Sequence, residues 1–141
     1  MLMLLFYVGS ECYALDAGPI VEIIPKVEMK KIPQAAEYIV GHINYGGTSI
    51  PVIDVPQIIE KRPATKALHT RIIVVEHEKQ LLGLLGEKVV TTLDLDPTQF
   101  RPSGVQMKDL PFLGGIYNEA GRSIQLIQLD MLFHYLTGTL F

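Results

Sequence analysis

Short runs of β-branched and other apolar residues, each closed by turn formers, recur along the chain. Ile20-Val21-Glu22-Ile23-Ile24, Ile50-Pro51-Val52-Ile53-Asp54-Val55 and Ile72-Ile73-Val74-Val75 are the clearest. They predict strands, because branched side chains suit a pleated surface and lose rotamer freedom in a helix. Val8-Gly9-Ser10-Glu11, Tyr45-Gly46-Gly47-Thr48 and Asn118-Glu119-Ala120-Gly121 supply turn chemistry between runs. Pro51 lacks a backbone donor, so its strand is expected at a sheet edge or with that position facing away from a neighbour. Helical spacing is scarce. Leu129, Leu132, Phe133 and Leu136 mark one helical face, with Asp130 as a candidate cap and Gly138 as a stop. Pro56-Gln57-Ile58-Ile59 predicts a short helical turn, and residues 33–40 another that ends at Gly41. The class is all-β with a few short helices.

The chain also echoes itself. Residues 41–55 align with residues 114–129 if Glu119 is treated as inserted, and six of fifteen pairs are then identical. Upstream, Tyr13-Ala14-Leu15 falls opposite Gly83-Leu84-Leu85, Ile20-Val21-Glu22-Ile23 opposite Val90-Thr91-Thr92-Leu93, and Leu2 to Val8 opposite Ile72 to Glu78. A repeat of two fits two similar small sheets packed together rather than a solenoid. At 141 residues the length suits a single domain. The halves fall near 1–66 and 67–141, with strands free to exchange between them. Glu60 to Thr70, polar and basic around Pro63, is the expected connection, either a plain solvated loop or a hinge or basic docking loop.

Composition narrows the function. Apolar residues make up 48% and charged residues 19%, which excludes a disordered chain. A net charge of −3 argues against nucleic acid, whose backbone attracts clustered Lys and Arg. The apolar stretch at Met1 to Val8 is far short of the roughly 20 residues that cross a bilayer, and it lacks a signal peptide's basic flank. No membrane insertion is expected. Cys12 is the one cysteine, so no internal disulfide and no multi-cysteine zinc site can form, and a reduced cytoplasmic setting follows.

Candidate chemistry is thin. His42, His69, His77 and His134 lack metal-ligand spacing. Cys12 reads as a buried small hydrophobe, and Asp16 and Asp54 as turn or cap residues. Gly83-Leu84-Leu85-Gly86 is too apolar for a phosphate cradle and suits close strand packing. No catalytic residue, cofactor or metal is expected. What remains is surface: Glu22 interrupts a branched run, and Tyr45-Gly46-Gly47 sets an aromatic at a tight hairpin where another chain can approach. The competing reading is that Tyr45 packs on its own hairpin. The seam between two packed sheets would also accept an amphipathic helix.

Several segments together resemble the CheW-like domain, the coupling family of bacterial chemotaxis. They are Tyr13-Ala14-Leu15-Asp16, Ile20-Val21-Glu22-Ile23-Ile24-Pro25, Ile32-Pro33, Tyr38-Ile39-Val40-Gly41-His42-Ile43-Asn44, Ile50-Pro51-Val52-Ile53-Asp54-Val55, Thr70-Arg71-Ile72-Ile73-Val74-Val75-Glu76 and Gly83-Leu84-Leu85. The likeness runs from Leu4 to Leu136. It implies one CheW-like domain of two SH3-like five-stranded β-barrel subdomains around a shared core, with neither catalysis nor cofactor. It implies an adaptor between the tip of a methyl-accepting chemotaxis-type receptor and the regulatory domain of a CheA-type histidine kinase. Such an adaptor is cytoplasmic and recruited to membrane receptor arrays. The receptor seam would then hold Ile20, Glu22, Gly41, Ile43, Asn44, Tyr45, Gly46 and Gly47. The family hairpin usually reads Asn-Leu-Arg-Gly, whereas Asn44-Tyr45-Gly46-Gly47 puts Gly46 at the arginine's place. A basic residue often follows the retained Asp54, but Val55-Pro56 stands there, and the chain opens on its first strand without the usual leader. An alternative is a divergent regulator resembling Wsp-type surface-sensing systems, with cyclic-di-GMP or pilus output and without the usual receptor coupling. A small-barrel enzyme or ligand-binding domain is the third reading.

Overall fold

The computed structural model describes residues 1–65, 69–102 and 110–137. The elements run β1 (Leu2–Val8), β2 (Glu11–Asp16), β3 (Ile20–Pro25), β4 (Ile39–Tyr45), β5 (Thr48–Asp54) and α1 (Val55–Glu60). There follow β6 (Arg71–His77), β7 (Gln80–Gly86), β8 (Lys88–Asp94), a single 3-10 turn at Pro97–Gln99, β9 (Leu113–Glu119), β10 (Arg122–Ile127) and α2 (Leu129–Leu136). The all-β class with short helices is what the alternation predicts. The strands form two five-stranded sheets, ordered β8-β1-β2-β10-β9 and β3-β6-β7-β5-β4. Each sheet therefore mixes the repeats: β1 and β2 join β8 to β10, while β3 to β5 join β6 and β7. One parallel contact stands in each sheet, β10 with β2 and β5 with β7.

Side-chain alternation divides the apolar residues among three clusters. On β1, Leu4, Phe6 and Val8 enter a core shared by both sheets, whereas Met3 and Leu5 fill the first sheet's own interior. On β6, Ile73 and Val75 enter the shared core, and Ile72 and Val74 the second sheet's interior. Period-two geometry thus lets one strand build two cores. The helices close the shared core with Val55, Ile58, Leu129, Leu132, Phe133 and Leu136. Fully burying such a side chain contributes about 1.5–3 kcal/mol, so the shared core dominates cohesion between the sheets.

The repeat is real, but its register differs from the sequence alignment by one residue in places. Tyr13 and Leu15 share a core with Leu82 and Leu84, so β2 matches β7 one position earlier than expected. The bulges agree, because Ile20 sits opposite Val75 and Val89 opposite Phe6, each just before a slip in pairing. Both hairpins have two-residue turns, Tyr45 pairing Thr48 and Glu119 pairing Arg122. No residue is inserted, so Gly41 corresponds to Gly115 and Asn44 to Asn118. A one-residue slip exchanges faces, which is why burial fixes this register where residue identity alone did not.

Local expectations met different outcomes. Residues 33–38 form turns rather than a helix, and Ile39 already starts β4; Gln34 at φ 60 departs from helical backbone. Gln128 rather than Asp130 stands at the N-cap of α2, and Asp130 falls in its first turn. Gly138 lies outside the described residues. β5 runs inside its sheet, between β7 and β4, and its ladder with β7 starts at Val52, one residue past Pro51. Asp54 caps α1, accepting from the Gln57 N–H at 3.1 Å.

Candidate partner-binding site

The two sheets leave two edge strands beside the shared core, β3 and β8, each paired on one side only. Cross-strand partners point to the same face. Ile20 and Ile23 lie opposite Val75 and Ile73, so both face the shared-core side at the second sheet's rim. Val89 and Thr92 lie opposite Phe6 and Leu4, so they hold the equivalent positions on the first. Ile20 and Val89 pack on the shared core. Further out the apolar surface continues into solvent, with Val21 at 51%, Ile23 at 39% and Val90 at 43% exposure. Two apolar edge strands in this position are unusual for an isolated protein, which normally protects its sheet edges.

The other predicted site residues sort by depth. Gly41 and Ile43 are buried. A Cβ on Gly41 would meet the Lys30 carbonyl oxygen at 2.5 Å, so Gly41 permits the bridge between Lys30 and His42. Its counterpart Gly115 does the same against Arg101, at 2.7 Å. Ile43 fills the second sheet's interior. Asn44 is exposed and accepts from the Gly47 N–H at 3.0 Å. Gly46 and Gly47, at φ 57 and 88, form the exposed hairpin turn that demands left-handed backbone at both positions. Glu22 pairs with Val74 and so points away from the shared-core side. Its Oε1 accepts the Tyr45 hydroxyl at 2.5 Å. That bond ties together β3 and β4, the two edges of the second sheet, and raises the tyrosine pKa because the phenol donates to a carboxylate. Tyr45 also packs on that sheet's interior. The structure thus gathers the predicted residues on β3, on β4 and in the turn that follows β4, and only Ile20 among them meets the shared core. Ile23, Val89 and Thr92 were missed, since the bulges that set their facing leave no mark in the sequence.

A second constellation also escaped the sequence reading. Glu87, only 8% exposed, accepts from Gly9 N–H at 2.7 Å, Thr65 N–H at 2.8 Å, and both Arg62 terminal nitrogens at 2.8 and 2.7 Å. The guanidinium and these N–H groups hold the Glu87 carboxyl at about 2, well below its usual range. Ala64 N–H donates to Asp54 at 2.9 Å. The segment expected as a solvated connection is thus bonded to both sheets' ends through Arg62, Ala64 and Thr65. Burial pushes the Asp54 carboxyl up against these bonds.

His42 Nδ1 lies 2.7 Å from Ser49 Oγ on an exposed surface, and His77 stacks on Phe133 with ring centres 5.0 Å apart. Among the described residues no three His, Cys, Asp or Glu side chains gather to hold a metal, and no helix is long and apolar enough to cross a membrane. Cys12 is buried, which raises its thiol pKa.

Comparison with known proteins agrees with this geometry. The family model described as CheW-like domain matches residues 2–136. The chemotaxis protein CheW of Rhizobium meliloti (strain 1021) is 26% identical over 133 residues, covering 93% of this chain and 86% of its own. That of Helicobacter pylori (strain ATCC 700392 / 26695) is 23% identical over 126 residues, covering 89% and 76%. The crystal structure of the scaffolding protein TtCheW from Thermoanaerobacter tengcongensis superposes with a TM-score of 0.84 at 32% identity, over 94% of this chain and 86% of that one.

Proposed function

The chain belongs to the CheW-like domain family, and on that premise we propose that it is a non-catalytic coupling adaptor of a chemotaxis-like pathway. It joins the helical tip of a methyl-accepting chemotaxis-type receptor to the regulatory domain of a CheA-type histidine kinase, at the cytoplasmic face of a receptor array. The observation that carries this reading is the pair of apolar edge strands flanking the shared core. Ile20, Val21 and Ile23 on one side, with Val89 and Val90 on the other, offer a helix apolar contact along both rims. The names of the relatives support chemotaxis coupling and lend nothing to the alternative of a divergent regulator, which rests on sequence departures such as Gly46 and Val55-Pro56.

The test is binding of a receptor cytoplasmic fragment and a kinase regulatory domain, each titrated separately. Complexes should form with each at micromolar to tens of micromolar concentration. Ile23→Asp should weaken receptor binding tenfold or more, as loss of an interface anchor costs above about 1 kcal/mol. Its melting point should fall by no more than a few degrees, because Ile23, 39% exposed, sits at the rim of the shared core and not inside it. Absence of both complexes, or an Ile23→Asp variant that binds the receptor unchanged, would refute the seam as the docking surface.

A further inference from the structure

The two repeats differ at one equivalent place. In the first, Asp54 precedes α1, and the chain leaving α1 folds back over it. There Ala64 N–H donates to Asp54 Oδ2 at 2.9 Å, Thr70 Oγ1 donates to the Thr65 carbonyl at 2.9 Å, and Arg62 forks onto Glu87. In the second repeat Gln128 holds Asp54's place. Each donates its backbone N–H to a matching carbonyl, that of Tyr38 or Phe112, and each stands at a helix N-cap. The side chain of Gln128, however, makes no capping bond.

In the second repeat no described segment covers this place. A cavity of about 300 Å³ opens there, with Met3, His77, Leu126, Gln128 and Leu129 in its lining and Asp16 and Asp130 beside them. The repeat relates these to Ile72, Val8, Val52, Asp54, Val55, Leu85 and Pro56 in that order. Met3, Leu126 and Leu129 keep the apolar character of Ile72, Val52 and Val55, while His77 stands for Val8 and two further apolar positions have become carboxylates. In the filled site the covering segment carries a guanidinium that meets the anion Glu87. In the open site Asp16 and Asp130 offer the anions instead, each with one oxygen already accepting a backbone N–H, from Gly18 and Met131. Met1 is part of the same lining, and its ammonium is held by Asp94. Met3 in the floor carries a thioether, a side chain that adapts well to a docked chain.

We propose that this cavity receives an extended segment of another protein carrying a basic residue followed by small residues. The segment lies there as Arg62 to Thr65 lie in the first repeat, with its cation at Asp16 and Asp130. This binding is separate from the seam and stands whether or not a receptor docks there.

The probe is a capped peptide, Lys-Arg-Pro-Ala-Thr, copied from residues 61–65, titrated to several millimolar into the isotope-labelled chain. Saturable amide shifts are expected over residues 126–131 and at His77, without shifts at Ile23 or Val89. A peptide with glutamate in place of arginine should not bind, and Asp130→Asn should weaken the native peptide at least threefold. Asp130 is exposed, so that variant keeps the fold, and Asp16→Asn gives an independent second reading. Shifts that never saturate, that centre on Gly9 and Glu87, or that persist with the reversed-charge peptide would overturn the proposal. So would indifference of the shifts to both substitutions.

Discussion

Removing the charge of Glu87 tests the bonded loop most directly. Glu87→Gln keeps the shape but presents an amide to four donor groups, those of Gly9, Thr65 and the two Arg62 nitrogens. A carboxyl brought from 4.5 to about 2 corresponds to about 3 kcal/mol of stabilisation at neutral pH, at about 1.4 kcal/mol per pH unit. The Arg62 side chain is 34% exposed, and screening there reduces the figure to about 2 kcal/mol. The folded-state value is the lower one, so the stabilisation is complete above the unfolded pKa near 4.5. It drains away as pH falls toward 2. Asp54, pushed up by burial, has the opposite slope, but it is present in both chains and largely cancels in their difference. Urea unfolding at pH 7 should show Glu87→Gln less stable by about 2 kcal/mol, a midpoint shift of about 1 M at a typical urea slope. The gap should shrink steadily below pH 4.5. A difference under about 0.5 kcal/mol at pH 7, or a gap that persists undiminished near pH 2, would refute the assignment.

Three further outcomes follow from other residues. Gly41→Ala should lose about 2 kcal/mol in chemical denaturation, since the new methyl must push back the Lys30 backbone at 2.5 Å; Gly18→Ala, whose nearest neighbour is the Asp16 carboxylate at 3.4 Å, should change little. Cys12, 4% exposed with its thiol pKa raised by burial, should resist a thiol reagent in native buffer and react within seconds in denaturant; equal rates would contradict its burial. Gly46→Arg should fold at a cost of about 1 kcal/mol for the left-handed backbone, since nothing lies within 4 Å of a Cβ added there and the turn is exposed. It should tighten receptor binding severalfold, and an unchanged affinity would show that this chain holds receptors through other contacts.

The sequence disclosed the strands because their chemistry is local. Ile72 to Val75 could hardly be anything but a buried strand, and the apolar spacing of α2 was plain. It misled at residues 33–40, where an apolar spacing suited a helix but Pro33 and Gln34 turn the chain and Tyr38 delivers its carbonyl to Asp54 instead. At the candidate site, Glu22 and Tyr45 were both singled out, yet only the fold reveals that they bond to each other. Ile23 and Val89 were passed over because facing is decided by bulges, which depend on the partner strand. Glu87 was invisible for a related reason. Its four donors come from Gly9, Arg62 and Thr65, and no pattern in one linear stretch announces such convergence.

The interleaving of repeats between sheets makes this chain resistant to dissection. Cut after Thr65, neither fragment would hold a complete sheet, since one would lack β6 and β7 and the other β1 and β2. Each would expose its half of a common interior until it met the other, so the pieces should behave as complementing fragments that recover structure only when mixed. The two copies are in this way mutually dependent, and a load placed on one barrel is borne at once by strands belonging to both.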